Sequence, residues 1–158
     1  MMAKICILST VNLKHMTLVS LYTDFFDKNN IRYDIIYIDK YFSDEENTAE
    51  NVYKLNLSIN KDWTFFYKLI KYWKFKKYAK EIIESKNYEF IIVWNSFTAF
   101  MFSDLLLKQY NGNYCINIRD YAKEKFYPVY RVLKKVIENS SFTTISSDGF
   151  KKFLPEFD

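Results

Sequence analysis

The chain of 158 residues predicts an α/β fold, an open, doubly wound and mostly parallel sheet of Rossmann-like type forming a single domain over 1–158. Three observations carry this expectation. Five short segments are apolar, rich in β-branched and aromatic residues, and free of strict alternation, as strands buried on both faces are. Helix-like stretches separate them, so strand and helix alternate along the whole length. Hydrophobic residues make up 49% and charged residues 27%, a balance that favours a globular core over disorder.

Residues 4–9 (KICILS) form the first expected strand, and 17–28 the first helix. Residues 33–38 (YDIIYI) make the second strand, and the acidic stretch 44–50 reads as a solvated loop. A more peripheral strand falls at 52–58 (VYKLNLS), followed by a long helix over 63–84. Strands at 90–94 (FIIVW) and 114–118 (YCINI) enclose a helix over 97–110. Pro128 suits the first position of a helix over 128–138, because its missing N–H lies where no intrahelical bond is made. Residues 142–145 (FTTI) read as a last buried strand, opening through Ser146, Ser147, Asp148 and Gly149 into a short helix over 150–154 that Pro155 closes.

Several functional classes are disfavoured. The loop after the first strand, 10–16, has no glycine, so the GxGxxG turn of dinucleotide-binding domains is missing, and there is no P-loop. The same loop lacks the acidic residues that hold Mg²⁺ in a receiver domain. Cys6 and Cys115 sit in apolar runs without a CxxC pattern or a nearby histidine, which reads as buried reduced thiols and a cytosolic setting. No signal segment or membrane span is expected, and neither a metal nor a cofactor.

Net charge is +4, and between Trp63 and Lys86 seven lysines face two glutamates, so the remainder of the chain is close to neutral at −1. Basic character so localised argues against a nucleic-acid binder and for one basic surface. At ~100° per residue, Phe65, Phe66, Leu69, Ile70, Tyr72 and Trp73 share a broad arc, with Lys68, Lys71 and Lys74 opposite. Further along, Lys76, Lys77 and Lys80 enter that arc while the apolar stripe moves to Phe75, Ala79, Ile82 and Ile83. The two halves therefore cannot bury the same face. Either the helix breaks near 73–76, or its first half presents aromatics and lysines to something other than the core. An anionic membrane surface is one candidate, with Lys68, Lys71, Lys74 and Trp73 as the contacting residues; a core helix with a solvated lysine face is the other.

Ligands of such folds bind beyond the carboxyl ends of the strands, where strand order reverses. Four loops qualify. The first offers Asn12, Lys14 and His15, the only histidine, as a candidate catalytic group or a helix cap. The second offers Asn95 and Ser96. The third begins with Arg119 and Asp120, followed by Tyr121: the guanidinium is suited to a phosphate or to sugar hydroxyls, and the carboxylate to orienting a hydroxyl or accepting its proton, unless the two form a loop-shaping ion pair. The fourth offers Ser146 and Ser147 as helix caps or ligand contacts.

KICILS at the start, YIDKY with ENVYKLNLS downstream, FIIVWNSFTAF in the middle and SSFTTISSDGFKKFLP at the end resemble the amino-terminal domain of group 1 glycosyltransferases of the GT-B fold, especially those of bacterial capsule and surface polysaccharides. The resemblance spans nearly the whole chain through soft motifs. It implies retaining transfer of a sugar from a nucleotide-sugar, without a required metal, to a polysaccharide or lipid-linked acceptor that this half binds. The implied partner is a carboxyl-terminal donor-binding domain, and the implied setting is cytoplasmic, peripheral at the inner face of the membrane. Two features depart from the family pattern: the first loop lacks glycine, and Arg119-Asp120 stand where many members carry a histidine. A split enzyme, or a non-catalytic module docking on a membrane or partner protein, are the alternatives.

Overall fold

The computed structural model describes residues 4–60, 62–119 and 127–154. Six strands, β1 (Ile5–Ser9), β2 (Tyr33–Asp39), β3 (Asn51–Asn56), β4 (Phe90–Trp94), β5 (Tyr114–Ile118) and β6 (Phe142–Ile145), form a sheet of order β3-β2-β1-β4-β5-β6. Every described pairing is parallel. The helices are α1 (Ser20–Lys28), α2 (Phe65–Lys86), α3 (Ser96–Met101), α4 (Ser103–Gln109) and α5 (Tyr127–Glu138), giving the expected open, doubly wound α/β fold. The chain divides into two compact units, Met1–Glu89 and Phe90–Asp158.

In the first unit, β2 is buried along its whole length between two parallel neighbours, its apolar and aromatic residues accompanied by the buried Asp34 and Asp39. Burying side chains such as Ile7, Leu8, Ile35 and Ile36 stabilises the fold by roughly 1.5–3 kcal/mol each. The peripheral strand is found as β3 at the sheet edge. α1 starts three residues later than expected, because Leu18 adopts a left-handed backbone (φ 66°) that a continuing helix excludes. α2 is continuous for 22 residues, so the break considered near 73–76 does not occur. Phe75, Ala79 and Ile83, at four-residue spacing, form its buried stripe, and Asn87 ends it in a left-handed cap (φ 53°) whose N–H reaches the Ile83 carbonyl. Behind that cap Tyr88 donates to Asp34 Oδ2 at 2.6 Å, while Asn51 Nδ2 donates to Asp34 Oδ1 at 2.9 Å, so a buried carboxylate fastens the connection to the sheet.

In the second unit, the helix expected over 97–110 is two helices meeting at Phe102, which is fully buried. α5 buries Leu133, Val136 and Ile137, an i, i+3, i+4 pattern, and the Tyr114 hydroxyl donates to the Val136 carbonyl. Pro128 stands in the first turn of α5, as expected. β6 differs from the expectation of a buried strand: it lies at the sheet edge, half-exposed, with Phe142 at the surface. The segment after it is a 3-10 helix, Asp148–Phe153; Pro155 lies outside the described residues. Cys6 and Cys115 are buried free thiols, and burial pushes Cys115 up to about 12. No helix among the described residues is long and apolar enough to cross a membrane.

Candidate functional site

At the carboxyl end of β1 and β2 the chain builds a polar lock. Asn12 Nδ2 donates to Asp39 Oδ1 at 2.8 Å, and both side chains are fully buried. Asp39 also accepts the backbone N–H groups of Tyr41 (3.0 Å), Phe42 (2.9 Å) and Ser43 (3.1 Å), while Asn12 Oδ1 accepts Lys40 N–H at 2.9 Å. Burial alone would raise the Asp39 pKa, but the Asn12 and backbone donors, helped by Lys54, hold it below its ordinary value. Lys54 Nζ bridges Asp39 Oδ2 at 3.6 Å and Asp44 Oδ1 at 2.5 Å.

The acidic loop is only partly a solvated run. Glu45 is half-buried, and its carboxylate accepts Leu13 N–H at 2.8 Å and Lys14 N–H at 3.4 Å. This holds the single 3-10 turn Leu13–His15. Burial and then the Glu45 carboxylate push the Tyr37 hydroxyl up to about 12. His15 is exposed, with Nε2 2.9 Å from the Tyr41 hydroxyl, and Lys14 Nζ lies 3.6 Å from the Tyr41 ring centroid. Asn12, expected to touch substrate, has no accessible surface in this structure: its amide is consumed in fixing two loops. A cavity of about 640 Å³ in this unit is lined by Leu13, Val19, Ser20, Thr23 and the loop 43–48.

The second unit gathers the remaining candidates. Asn95 leaves β4 with φ 71° and ψ 157°, a conformation that costs a non-glycine residue ~1–3 kcal/mol. Its side chain caps α3 by accepting Thr98 N–H at 2.8 Å, and its N–H donates to the Asn117 carbonyl at 2.9 Å. Ser96 is buried. Arg119, immediately after β5, is half-buried, with its guanidinium carbon 5.4 Å from the Trp94 ring centroid. Its Nε is buried and has no hydrogen-bond partner among the described residues. The exposed Ser146 donates its hydroxyl to the Arg119 carbonyl at 3.1 Å, and Thr144 donates to Asn117 Oδ1 at 2.6 Å. Ser147 accepts Gly149 N–H at 3.2 Å, the capping role considered for it. Asp120 and Tyr121 lie outside the described residues.

Sequence reasoning thus places Asn95, Arg119 and Ser146 at the carboxyl ends of the neighbouring parallel strands β4, β5 and β6. It did not single out Asp39, Tyr41 and Glu45 in the first unit, or Trp94 and Thr144 in the second. Asp39 carried the same signal as Arg119, a polar residue at the end of an apolar strand. Of the four side chains expected at a membrane, Trp73 and Lys74 are exposed, whereas Lys68 and Lys71 are half-buried and Lys71 Nζ lies 5.5 Å from the Trp63 ring centroid. Compared with protein-family models and with curated proteins, the chain finds no match to either.

Proposed function

We propose that the chain is the acceptor-side domain of a retaining glycosyltransferase that moves a sugar from a nucleotide-sugar to a polysaccharide or lipid-linked acceptor of the cell surface. The observation that supports this reading best is Arg119. Its buried Nε has no partner among the described residues, and an unsatisfied buried donor carries a desolvation cost of ~1–3 kcal/mol that an anionic or hydroxylated ligand can offset. A cation–π contact with Trp94, at 5.4 Å from the ring centroid, orients the guanidinium for a phosphate or vicinal hydroxyls. Ser146, at the next strand, adds a hydroxyl. The donor would be held by a separate donor-binding domain, and His15 and Asp120 remain candidates for proton transfer.

The test is steady-state transfer by a polypeptide that includes a donor-binding domain. Arg119→Ala lowers turnover by ~10²-fold or more with an unchanged melting temperature. Near-wild-type turnover removes Arg119 from the site. The second reading, a non-catalytic module that docks on a membrane or a partner protein, is favoured by the apolar side chains that α2 leaves in solvent.

A further inference from the structure

We propose that the outward face of the first half of α2 docks on an anionic membrane surface, with the helix lying in the plane of the headgroups. α2 has two apolar stripes. The inner one, Phe75, Ala79 and Ile83, is fully buried. The outer one, Phe66, Leu69, Ile70 and Trp73, follows the i, i+3, i+4, i+7 rule of a helix face yet is 42–68% exposed, and Tyr67 beside it is 62% exposed. At ~100° per residue these four positions occupy an arc of about 100°, rotated away from the inner stripe, and they cover about two turns or ~12 Å of helix. An amphipathic helix normally has one apolar face, and here that face is already used by the core. The second stripe therefore has the composition of a buried surface without an occupant among the described residues.

The charge pattern identifies the occupant. Residues 65–80 carry six lysines and no acidic residue, and Lys77 falls on the outer arc one turn beyond Trp73, with Lys74 at its margin. Both are exposed. Across the chain the net charge is +4, less than the helix alone supplies, so the positive field is concentrated here. A second copy packed parallel on this face about a two-fold axis would set Lys74 and Lys77 against the same lysines, a repulsive arrangement. Protein interface cores are also depleted in lysine. An anionic lipid surface has neither conflict: aromatic rings settle at headgroup depth, aliphatic side chains reach the acyl boundary, and lysines pair with phosphates. Trp73, large, amphipathic and 67% exposed, is placed as an interfacial anchor. The inference holds whether the domain is enzymatic or purely a binding module, because it rests on α2 alone.

The experiment is cosedimentation of this chain with vesicles of phosphatidylcholine, with or without phosphatidylglycerol, beside sedimentation velocity without lipid. Binding is expected only to the vesicles that contain phosphatidylglycerol, and it weakens as salt rises. Lys74→Gln and Lys77→Gln each weaken it about five-fold, and the double variant Phe66→Ser, Trp73→Ser weakens it at least ten-fold, with melting temperatures unchanged because neither stripe position supports the core. Equal binding to both vesicle types, or binding to neither, overturns the proposal. So does a dimer without lipid that the double variant converts to monomer, which would make a second copy the occupant.

Discussion

Asn12 and Asp39, 27 residues apart in sequence, meet in a 2.8 Å hydrogen bond with no accessible surface on either side chain. Through this pair the loop after β1 and the loop after β2 are held as one structure. Asn12 satisfies the Lys40 N–H, and Asp39 satisfies those of Tyr41, Phe42 and Ser43. Removing Asp39 leaves four donors to find other partners. Asp39→Ala is expected to cost about 3 kcal/mol and Asn12→Ala about 2 kcal/mol, with a coupling of at least ~1 kcal/mol between them. Urea unfolding of both single variants and the double checks this; additive losses would show that the two loops are held independently.

The same carboxylate makes the first unit sensitive to acid. Its folded-state pKa lies below the ordinary 3.8, so its stabilising contribution is complete above that value and is lost as pH falls through the folded-state value. The stability gap between the natural chain and Asp39→Asn should therefore be constant near neutrality and narrow below pH 3.8. Urea midpoints measured on both sides of that pH test it. A gap that does not change with pH would mean that geometry, rather than charge, carries the lock.

The two stripes of α2 predict opposite responses to the same substitution. Phe75→Ala opens a cavity in the first unit and should cost ~3–5 kcal/mol, whereas Phe66→Ala should fall within ~0.5 kcal/mol. Thermal melts distinguish them. Comparable losses would mean that the outer stripe is packed against the fold.

Most of the architecture was legible because buried parallel strands are recognisable locally: FIIVW, YCINI and FTTI are found at the expected residues. Three features were hidden for physical reasons. Phe102 breaks the 97–110 helix while facing the core, so the apolar pattern runs through the break. Leu18 shortens α1 through a positive φ that leucine rarely adopts, which residue preference cannot anticipate. β6 looks buried from composition but lies at an edge, a matter of strand order. For the candidate site, Asn95 and Arg119 do follow the carboxyl ends of β4 and β5 as expected, but partners distant in sequence, such as Trp94 beneath Arg119 and Asp39 beside Asn12, emerge only from the fold.

Ligand discrimination by this chain tests the central claim most directly. Saturation-transfer NMR with a short-chain prenyl-pyrophosphate monosaccharide, beside a panel of nucleotide-sugars monitored for hydrolysis, separates an acceptor-side domain from the alternatives. The account predicts that the prenyl-pyrophosphate sugar binds, that Arg119→Ala weakens its binding at least ten-fold, and that no nucleotide-sugar is hydrolysed. Turnover of a nucleotide-sugar by this chain alone, or acceptor binding that is indifferent to Arg119→Ala, would contradict it.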